Sequence, residues 1–470
     1  MSPSYENVIL EQLPKSILLV NTEKFDMAAQ LAEVAMYLRQ KGKNVKVIDL
    51  SDFQDFDVKS RTKLLHRFLV GDVPKKIHKL ASNASSFEYK KYVCHKKVRF
   101  QNPFSSTKHF DSYEINALTR ALRSKYSISA FDSKFQSEKY LARQRRFFLK
   151  ILKILHVEKP THVIIFNGRF PLQTLVYLAC RRINVPVSMH EGLGPKKFEI
   201  YRFSPHSPSD VRRRIFDFYQ DFVNRPGNQS RDFLQSFDLK NTKEFHDKLT
   251  QSFSRRQTDT EELPFSIAES VVYYTSSFYE YPSIPDFNVA DPISQHFRHV
   301  RDLSVVCQEL SLKLIVKVHP NPDAIRYEFL ENEAWKSICQ ELGLDMIEAT
   351  SKISTNKLIQ NSFCNIVEGS SIGFDCVARG LPIIFLEETP WFQLEDIKIP
   401  RSRSEIKELL RMRPTYSNEL TLPTHIYRRF GGFPYSRFRV DEEEIFVGDE
   451  VLVSRARFDW LYETFKGRNR

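Results

Sequence analysis

The stretch KSILLVNTEKFDMAAQLAEVAMYLRQKGKNVKVIDL, residues 15–50, decides the fold class. It opens with an apolar run at 15–21, continues with apolar residues at helical spacing that end at Gly42, and closes with a second apolar run at 44–50. A buried strand, an amphipathic helix and another buried strand in this order are typical of a βαβ unit. Because such units build parallel sheets covered by helices, the sequence predicts the α/β class.

The same alternation continues along the chain. A series of helical and strand patterns follows the first βαβ unit, and a second series begins beyond a polar, charged stretch that resembles a linker. We therefore expect two Rossmann-like, doubly wound parallel-sheet domains that face each other across a cleft. The predicted first domain is 1–262, with a Lys-, Phe- and Ser-rich insertion at about 51–130, and the second is 263–470, with a C-terminal helical tail over 451–466.

Composition excludes several classes of protein. Of the 470 residues, 41% are hydrophobic and 27% are charged, which excludes a disordered or collagen-like chain. No apolar run approaches the roughly 20 residues that span a bilayer, and the N-terminus lacks the pattern of a signal peptide, so we expect a cytoplasmic protein. The six cysteines form no CxxC pair, which favours reduced, mostly buried thiols over a zinc site or a disulfide framework.

The charge is unevenly distributed. Residues 1–250 carry 44 basic and 25 acidic side chains, whereas residues 251–470 carry 26 basic and 33 acidic ones. The basic half is expected to meet something anionic, and the chain shows no motif of a nucleic-acid-binding protein, which leaves an acidic glycan or an anionic membrane. The basic amphipathic helix at 138–156 either lies on such a membrane or packs on the sheet. The Arg- and aromatic-rich loop at 424–440 is either an acceptor surface or a docking strip for a partner.

In open parallel sheets, ligands bind beyond the carboxyl ends of the strands. In the second half, His319-Pro320 follows one predicted strand, and a histidine there either contacts a phosphate or caps a turn. Another predicted strand runs into a helix through a short polar turn, whose hydroxyls and helix N–H groups either bind an anion or merely cap the helix. That turn consists of Glu368, Gly369, Ser370 and Ser371.

Two strand ends in the first half carry further polar residues. His190, Glu191 and Gly192 follow one strand, where the carboxylate is either a general base or a solvated loop acid. Asn167 and Arg169 follow another, where the guanidinium either clamps a phosphate or carboxylate or lies on the surface. Since all four strand ends carry such residues, two in each half, a ligand between two domains is the simplest interpretation.

The ordered set His190-Glu191-Gly192, His319-Pro320 and Ser370-Ser371 resembles three motifs of a clan of bacterial glycosyltransferases that includes sialyltransferases and the Kdo transferases of the capsule polysaccharide biosynthesis family. The likeness to the capsule family is good over about 310–390 and loose over 160–195. It implies a GT-B architecture, a nucleotide-sugar donor that is a CMP-activated, Kdo-like acid sugar, and a glycan or glycolipid acceptor. It also implies that no metal or other cofactor is needed.

The resemblance assigns roles to these residues. Glu191 would be the acid/base or nucleophilic carboxylate, and His319 would contact the donor phosphate and assist the departure of the leaving group. Gly369, Ser370 and Ser371 would hold the phosphate at the helix start. We expect the remaining strand-end residues to bind substrate: Asn167, Arg169, His190, Gly192 and Glu368.

Two alternatives stay open at this point. The His-Pro and Ser-Ser pairs also resemble those of teichoic-acid-type glycerophosphotransferases and of UDP-sugar glycosyltransferases. The second alternative is a non-enzymatic component of polysaccharide export or assembly. If the protein is instead the capsule-type glycosyltransferase, we expect it to work in capsule or lipopolysaccharide synthesis, in the cytoplasm or peripherally at the inner membrane face.

Overall fold

The fold is described from a computed structural model of the full chain. The structure describes residues 12–22, 26–50, 73–91, 110–115, 117, 118, 121, 138–193, 197–202, 205, 207–224, 267–276, 292–319, 328–349, 351, 353–440, 444–447 and 450–454.

The first sheet has a parallel centre and two antiparallel strands at one side. Its seven strands follow the order β12-β6-β5-β4-β1-β2-β3, in which β6 is antiparallel to β5 and β12 is antiparallel to β6. The parallel part therefore has the 3-2-1-4-5 order of a Rossmann sheet. The strands are β1 Ser16–Asn21, β2 Asn44–Asp49, β3 Glu88–Lys91, β4 Val163–Phe166, β5 Val187–Gly192, β6 Lys197–Tyr201 and β12 Phe433–Pro434.

Helices bury both faces of this sheet. One hydrophobic cluster joins one sheet face to α1 and α2, and a second joins the other face to α3 and α4. The alternation along β1 explains this, because Ile17 and Leu19 belong to the first cluster while Leu18 and Val20 belong to the second. The helices of this half are α1 Asp26–Gln40, α2 Val73–Ser85, α3 Glu138–Glu158, α4 Pro171–Arg182 and α5 Pro208–Asn224.

The second sheet repeats the same order. Its five strands are all parallel and follow β9-β8-β7-β10-β11, which is again 3-2-1-4-5. Hydrophobic clusters cover both faces, so the predicted α/β class with two Rossmann-like units is confirmed. The elements are β7 Ser270–Tyr274, α6 Pro292–Glu309, β8 Lys313–Lys317, α7 Glu328–Leu342, β9 Asp345–Ile347, α8 Thr355–Asn361, β10 Cys364–Val367, α9 Ser371–Ala378, β11 Ile383–Phe385 and α10 Arg403–Met412.

The segment 51–130 is not simply an insertion. Of its described residues, α2 packs on α1, and β3 pairs in parallel with β2 as the edge strand of the first sheet. The sequence EYKK did not predict strand β3, because an edge strand is half exposed and does not need a continuous apolar run. The domain boundaries at 262 and 263 stay predictions.

The end of the chain returns to the first unit. The prediction of a loop at 424–440 is wrong. This segment forms most of helix α11 (Leu422–Phe430), then β12 and then β13 (Phe438–Val440). The start of the predicted tail helix is also a strand, β15 (Glu450–Ser454), which pairs antiparallel with β14 (Glu444–Val447). Residues 455–470 of that prediction lie outside the described part.

Helix α3 buries its apolar face. Phe147, Phe148, Ile151, Leu152 and Leu155 all belong to the cluster on the first sheet. These apolar side chains are therefore committed to the core and are not available to a membrane. Among the described residues, no helix is both long and apolar enough to cross a bilayer.

The cysteine prediction is confirmed where it can be judged. The five cysteines that the structure describes are free thiols and are buried: Cys180, Cys307, Cys339, Cys364 and Cys376. Cys94 lies outside the described residues.

A buried carboxylate on α1 holds the returning tail. Glu33 is 1% exposed, and it accepts hydrogen bonds from the backbone N–H groups of Ser436 (2.8 Å), Arg437 (2.7 Å) and Phe438 (2.5 Å) and from the Ser436 hydroxyl (2.9 Å). Since a carboxylate is one of the few groups that can satisfy several converging donors at once, Glu33 fixes β13 against the first unit.

We expect Glu33→Ala to lower the free energy of unfolding by about 2–4 kcal/mol, because it leaves several buried donors without an acceptor. Urea denaturation measures this change, and limited proteolysis should then cleave near residues 433–440. Gln40→Ala, an exposed position on the same helix, is the control and should change stability by less than about 0.5 kcal/mol. Equal stability of Glu33→Ala and the wild type would show that this contact does not hold the tail.

Candidate functional site

Both sheets have a switch point where neighbouring connections leave in opposite directions. It lies between β1 and β4 in the first sheet and between β7 and β10 in the second. Ligands of open α/β sheets bind at this place, beyond the carboxyl ends of the strands. The predicted site residues of the first half follow β4 or are the last three residues of β5, and those of the second half follow β8 and β10.

In the first unit, Asn167 and Glu191 are brought together. The Asn167 Nδ2 group donates to Glu191 Oε2 at 2.8 Å, and Asn167 Oδ1 accepts the backbone N–H of Arg169 at 3.2 Å. Between them, Gly168 makes the turn with a φ of +79°, a conformation that glycine adopts at little cost. Asn167 is 1% exposed, so its role here is to hold Glu191, which is half-buried, in one orientation.

His190 precedes Glu191 in β5 and cannot be reached from solvent. Its ring is fully buried against Phe166, with ring centroids 5.4 Å apart, and neither ring nitrogen has a hydrogen-bond partner in the described part. Burial lowers the pKa of His190 to about 4, so the imidazole is neutral near pH 7. Direct contact with a substrate, as predicted for His190, does not fit this placement.

Gly192 ends β5 and lies against helix α1. A Cβ atom there would come within 3.0 Å of the side-chain nitrogen of Gln30. Because that group is the far end of a flexible side chain, a larger residue could be accommodated after a small movement. Arg169, predicted as an anion clamp, is half-buried with its guanidinium 5.8 Å from the Phe170 ring centroid.

In the second unit, the predicted phosphate turn connects β10 to α9. Ser370 is the N-cap of α9, and its Oγ accepts the N–H of Ile372 at 3.3 Å, while Ser371 is exposed. Helix α9 packs closely on the sheet because Gly373 faces it: a Cβ there would lie 2.4 Å from the Phe385 ring. The helix start and its two hydroxyls are therefore presented at the carboxyl edge, the place and chemistry that favour a bound phosphate.

His319 lies at the same edge, two residues beyond β8. Its backbone N–H donates to Thr275 Oγ1 at 3.0 Å, and Thr275 directly follows β7, the strand between β8 and β10. Since adjacent strands are about 4.8 Å apart, the ends of β8 and β10 lie roughly 10 Å from each other. The ring is half-buried and its Nδ1 has no partner among the described residues. Pro320 lies outside them.

Glu368 is a buried anchor rather than a surface ligand. It is 2% exposed, and its Oε1 lies 2.6 Å from the Tyr273 hydroxyl and 2.9 Å from Nδ1 of both His296 and His299. Burial opposes the charge of Glu368, but the two histidines outweigh it and lower the pKa of this carboxyl. The predicted contact of Glu368 with a substrate does not fit this placement, because its oxygen is occupied from within.

A second carboxylate, Glu387, lies at the rim of this buried group. Its Oε1 is 3.7 Å from His299 Nε2 and accepts a hydrogen bond from the side-chain amide of Gln295. The side chain is 37% exposed. Burial, and next the negative charge of Glu368, raise the pKa of Glu387. Thus His299 lies between a carboxylate that is deeply buried and one that can meet a ligand.

Sequence reasoning missed this group, although two signals were present. His296 and His299 are spaced i, i+3, which places both on one helix face. Glu387 and Thr275 each follow a strand, so the rule that found His319 would also have found them. The identity of the partner, Glu368, was not visible because it lies 69 positions from His299.

The neighbouring loop also touches the first unit. Arg212 on α5 donates to the backbone oxygen of Thr389 at 3.0 Å and to Glu388 Oε2 at 3.1 Å. In the described residues, no group of three or more His, Cys, Asp or Glu side chains is arranged to hold a metal ion. That Glu191 meets the group of His319 and Ser370 across a cleft stays a prediction.

Comparisons with known proteins give no family. No family model matches the chain, and no curated protein sequence matches it. Among solved structures, the UDP-GlcNAc 2-epimerase of Methanocaldococcus jannaschii is 11% identical at a TM-score of 0.30, covering 88% of this chain and 98% of that one. MurG of Acinetobacter baumannii is 9% identical at a TM-score of 0.26, with coverages of 90% and 96%.

A glycosyltransferase from Rickettsia africae is 11% identical at a TM-score of 0.25, covering 87% of this chain and 96% of that one. At such scores these structures carry no inference about the chemistry of this chain. The fold and the site themselves define the class: an α/β protein with two Rossmann-like sheets, each presenting polar side chains at its switch point.

Proposed function

We propose that the protein is a glycosyltransferase that takes a sugar from a nucleotide-sugar donor bound by the second unit. The observation that carries this proposal is the edge formed by β8, β7 and β10, where His319 and the Gly369–Ser371 turn flank Thr275. A helix N-terminus, two hydroxyls and an imidazole are suited to a phosphate ester.

The chemistry follows from where charge develops. Breaking the bond between the sugar and the phosphate leaves negative charge on the phosphate, which the helix N–H groups, Ser371 and the imidazole of His319 stabilise. Glu191, held by Asn167, removes the proton of the acceptor hydroxyl or attacks the sugar if configuration is retained. Closure of the two units would exclude water and limit hydrolysis of the donor.

The finer assignment rests on the resemblance and on charge. We propose a CMP-activated acid sugar as donor, a glycan or glycolipid of surface polysaccharide as acceptor, and a reaction that needs no metal. The excess of basic residues in the first half supports an acidic acceptor. Since Phe147, Phe148, Ile151, Leu152 and Leu155 of α3 are buried, contact with an anionic membrane would depend mainly on basic residues.

A panel of CMP, CDP and UDP tests this proposal by thermal shift. A nucleotide at 100 times its Kd stabilises a protein by about 2.7 kcal/mol, which raises the melting temperature by several degrees. We expect CMP to give the largest shift. Ser371→Asp is the matched variant: it places a negative charge at the turn, on an exposed position, and should abolish the shift while the protein stays folded.

The other outcomes discriminate between the alternatives. A shift with UDP alone would favour a UDP-sugar enzyme. A glycerophosphotransferase releases CMP when it cleaves its CDP-linked donor, so a shift with CDP at least as large as the shift with CMP would favour that alternative. If no nucleotide stabilises the protein, the proposed function is wrong, and a non-enzymatic role in polysaccharide assembly becomes the better explanation.

A further inference from the structure

Two carboxylates lie close to the turn at which we place the donor phosphate. Glu368 directly precedes Gly369, and Glu387 follows the neighbouring strand β11 by two residues. The two loops are in contact, since a Cβ on Gly369 would lie 3.6 Å from the backbone oxygen of Glu388. A phosphate bound here would thus meet negative charge already present in the protein, which repels it.

Glu368 cannot readily give up its charge. Tyr273, His296 and His299 all contact its Oε1, and the carboxylate is almost fully buried among them. Protonating it would break a hydrogen-bonded ionic group in the interior, which costs several kcal/mol in typical cases. The repulsion therefore has to be relieved at another group.

Glu387 is placed to do this. It is the more exposed carboxylate of the pair, and its held position beside Gln295 and His299 keeps it at the rim. The other charged groups around it in the described part of the chain are Glu368, which directly follows β10, His296 and His299 on α6, and Glu388, which is paired with Arg212 on α5. Glu388 has its own cation, whereas the Glu387 carboxylate contacts the Gln295 amide and the histidine that it shares with Glu368.

We propose that Glu387 takes up a proton from the medium when the phosphate of the nucleotide sugar binds at the Gly369–Ser371 turn. The carboxylate charge is then exchanged for the phosphate charge. This inference rests on the proposed binding of a nucleotide at this turn. The site would bind its donor more tightly at low pH than at high pH.

The sign of the pH dependence follows from linkage. A bound phosphate raises the pKa of Glu387 further above its value in the free protein. Between the free and the bound values, binding takes up a fraction of a proton, at most one, and affinity falls as pH rises through that window. The steepest fall is about tenfold per pH unit.

Isothermal titration calorimetry measures the proton directly. The nucleotide that gives the largest thermal shift is titrated at several pH values in two buffers of different ionisation enthalpy, and the difference in heat gives the protons taken up. We expect Glu387→Gln to bind the nucleotide with lower proton uptake than the wild type and with a flatter pH dependence. Protonation of the nucleotide itself is common to both proteins and cancels in the comparison.

Two further variants sharpen the test. Glu388→Gln, one residue along, is the control and should take up protons as the wild type does. Glu368→Gln removes the negative charge that raises the pKa of Glu387, so the window of proton uptake should move to lower pH. Its melting curve shows whether the variant is folded.

The results separate this inference from the proposed function. If the wild type binds a nucleotide but Glu387→Gln takes up as many protons, the inference fails and the proposed function stands. If Glu387→Gln and Glu388→Gln lose proton uptake to the same extent, the inference is also contradicted, because the proton could not then be assigned to Glu387. If no nucleotide binds at all, both fail together.

Discussion

Replacing Glu191 by glutamine is expected to lower the rate of sugar transfer by a factor of about 10²–10⁴, the usual contribution of a general base. Glutamine has nearly the same shape and can still accept the hydrogen bond of Asn167 through its side-chain oxygen. It cannot take a proton, and it is a far weaker nucleophile than a carboxylate. Fold and nucleotide affinity should therefore be retained, since Glu191 belongs to the first sheet and the proposed donor turn to the second.

The measurement is the rate of donor-dependent glycan extension, together with the thermal shift given by the nucleotide. Glu88→Gln is the control, because Glu88 is an exposed carboxylate on β3 of the same sheet and its ion pair with Lys46 lies at the edge. It should transfer at the wild-type rate. Wild-type transfer by Glu191→Gln would remove Glu191 from the chemistry, even if nucleotide binding persisted.

The sequence was sufficient for the buried parts of the fold. Strands such as β1, β4 and β8 are continuous apolar runs, because a parallel strand covered on both faces has no polar side. Strand β3 escaped notice for the opposite reason: its sequence EYKK belongs to an edge, half in solvent. Strand β6 was missed as well, because KFEIY is short and pairs antiparallel with β5 in a series read as parallel.

Long-range contacts decide the rest of the site, and a single sequence does not show them. The rule of strand ends located Glu191, His319 and the Gly369–Ser371 turn correctly at the carboxyl edges. The rule could not distinguish an exposed side chain from a buried one, so it predicted that Glu368 binds a ligand just as Ser371 does. Burial depends here on Tyr273 and two histidines of another helix, and the Glu33 contact joins residues more than 400 positions apart.

Long-range contacts also explain why α11 was predicted as part of a loop at 424–440. Its aromatic and basic residues suggested a surface for binding, yet Ile426 and Tyr427 pack with Ile215 and Phe218 of α5. The helix was not recognised because it is only nine residues long and its buried face includes Pro423, Thr424 and His425, which do not form an apolar helical pattern. Short amphipathic helices thus depend on the partner that covers them.

Replacing His319 by alanine is expected to reduce transfer by about 10²–10⁴, since the imidazole is the side chain placed to stabilise charge on the leaving phosphate. The backbone at this position should be unaffected, because its N–H donates to Thr275 Oγ1 at 3.0 Å and any residue other than proline supplies that donor. A half-buried ring whose Nδ1 has no partner in the described part contributes little to stability by hydrogen bonding. Its removal should therefore be tolerated by the fold.

The kinetics separate a chemical role of His319 from simple binding. If the ring acts mainly as charge develops, kcat falls far more than KM for the donor rises, because the interaction is stronger in the transition state than in the ground state. If it only binds the phosphate, KM rises and kcat changes little. His156→Ala, on the exposed side of α3, is the matched control and should behave as the wild type. Unchanged transfer by His319→Ala, with the protein folded and the nucleotide bound, would exclude the imidazole from the reaction, and the anion would then be held by the helix start and its hydroxyls alone.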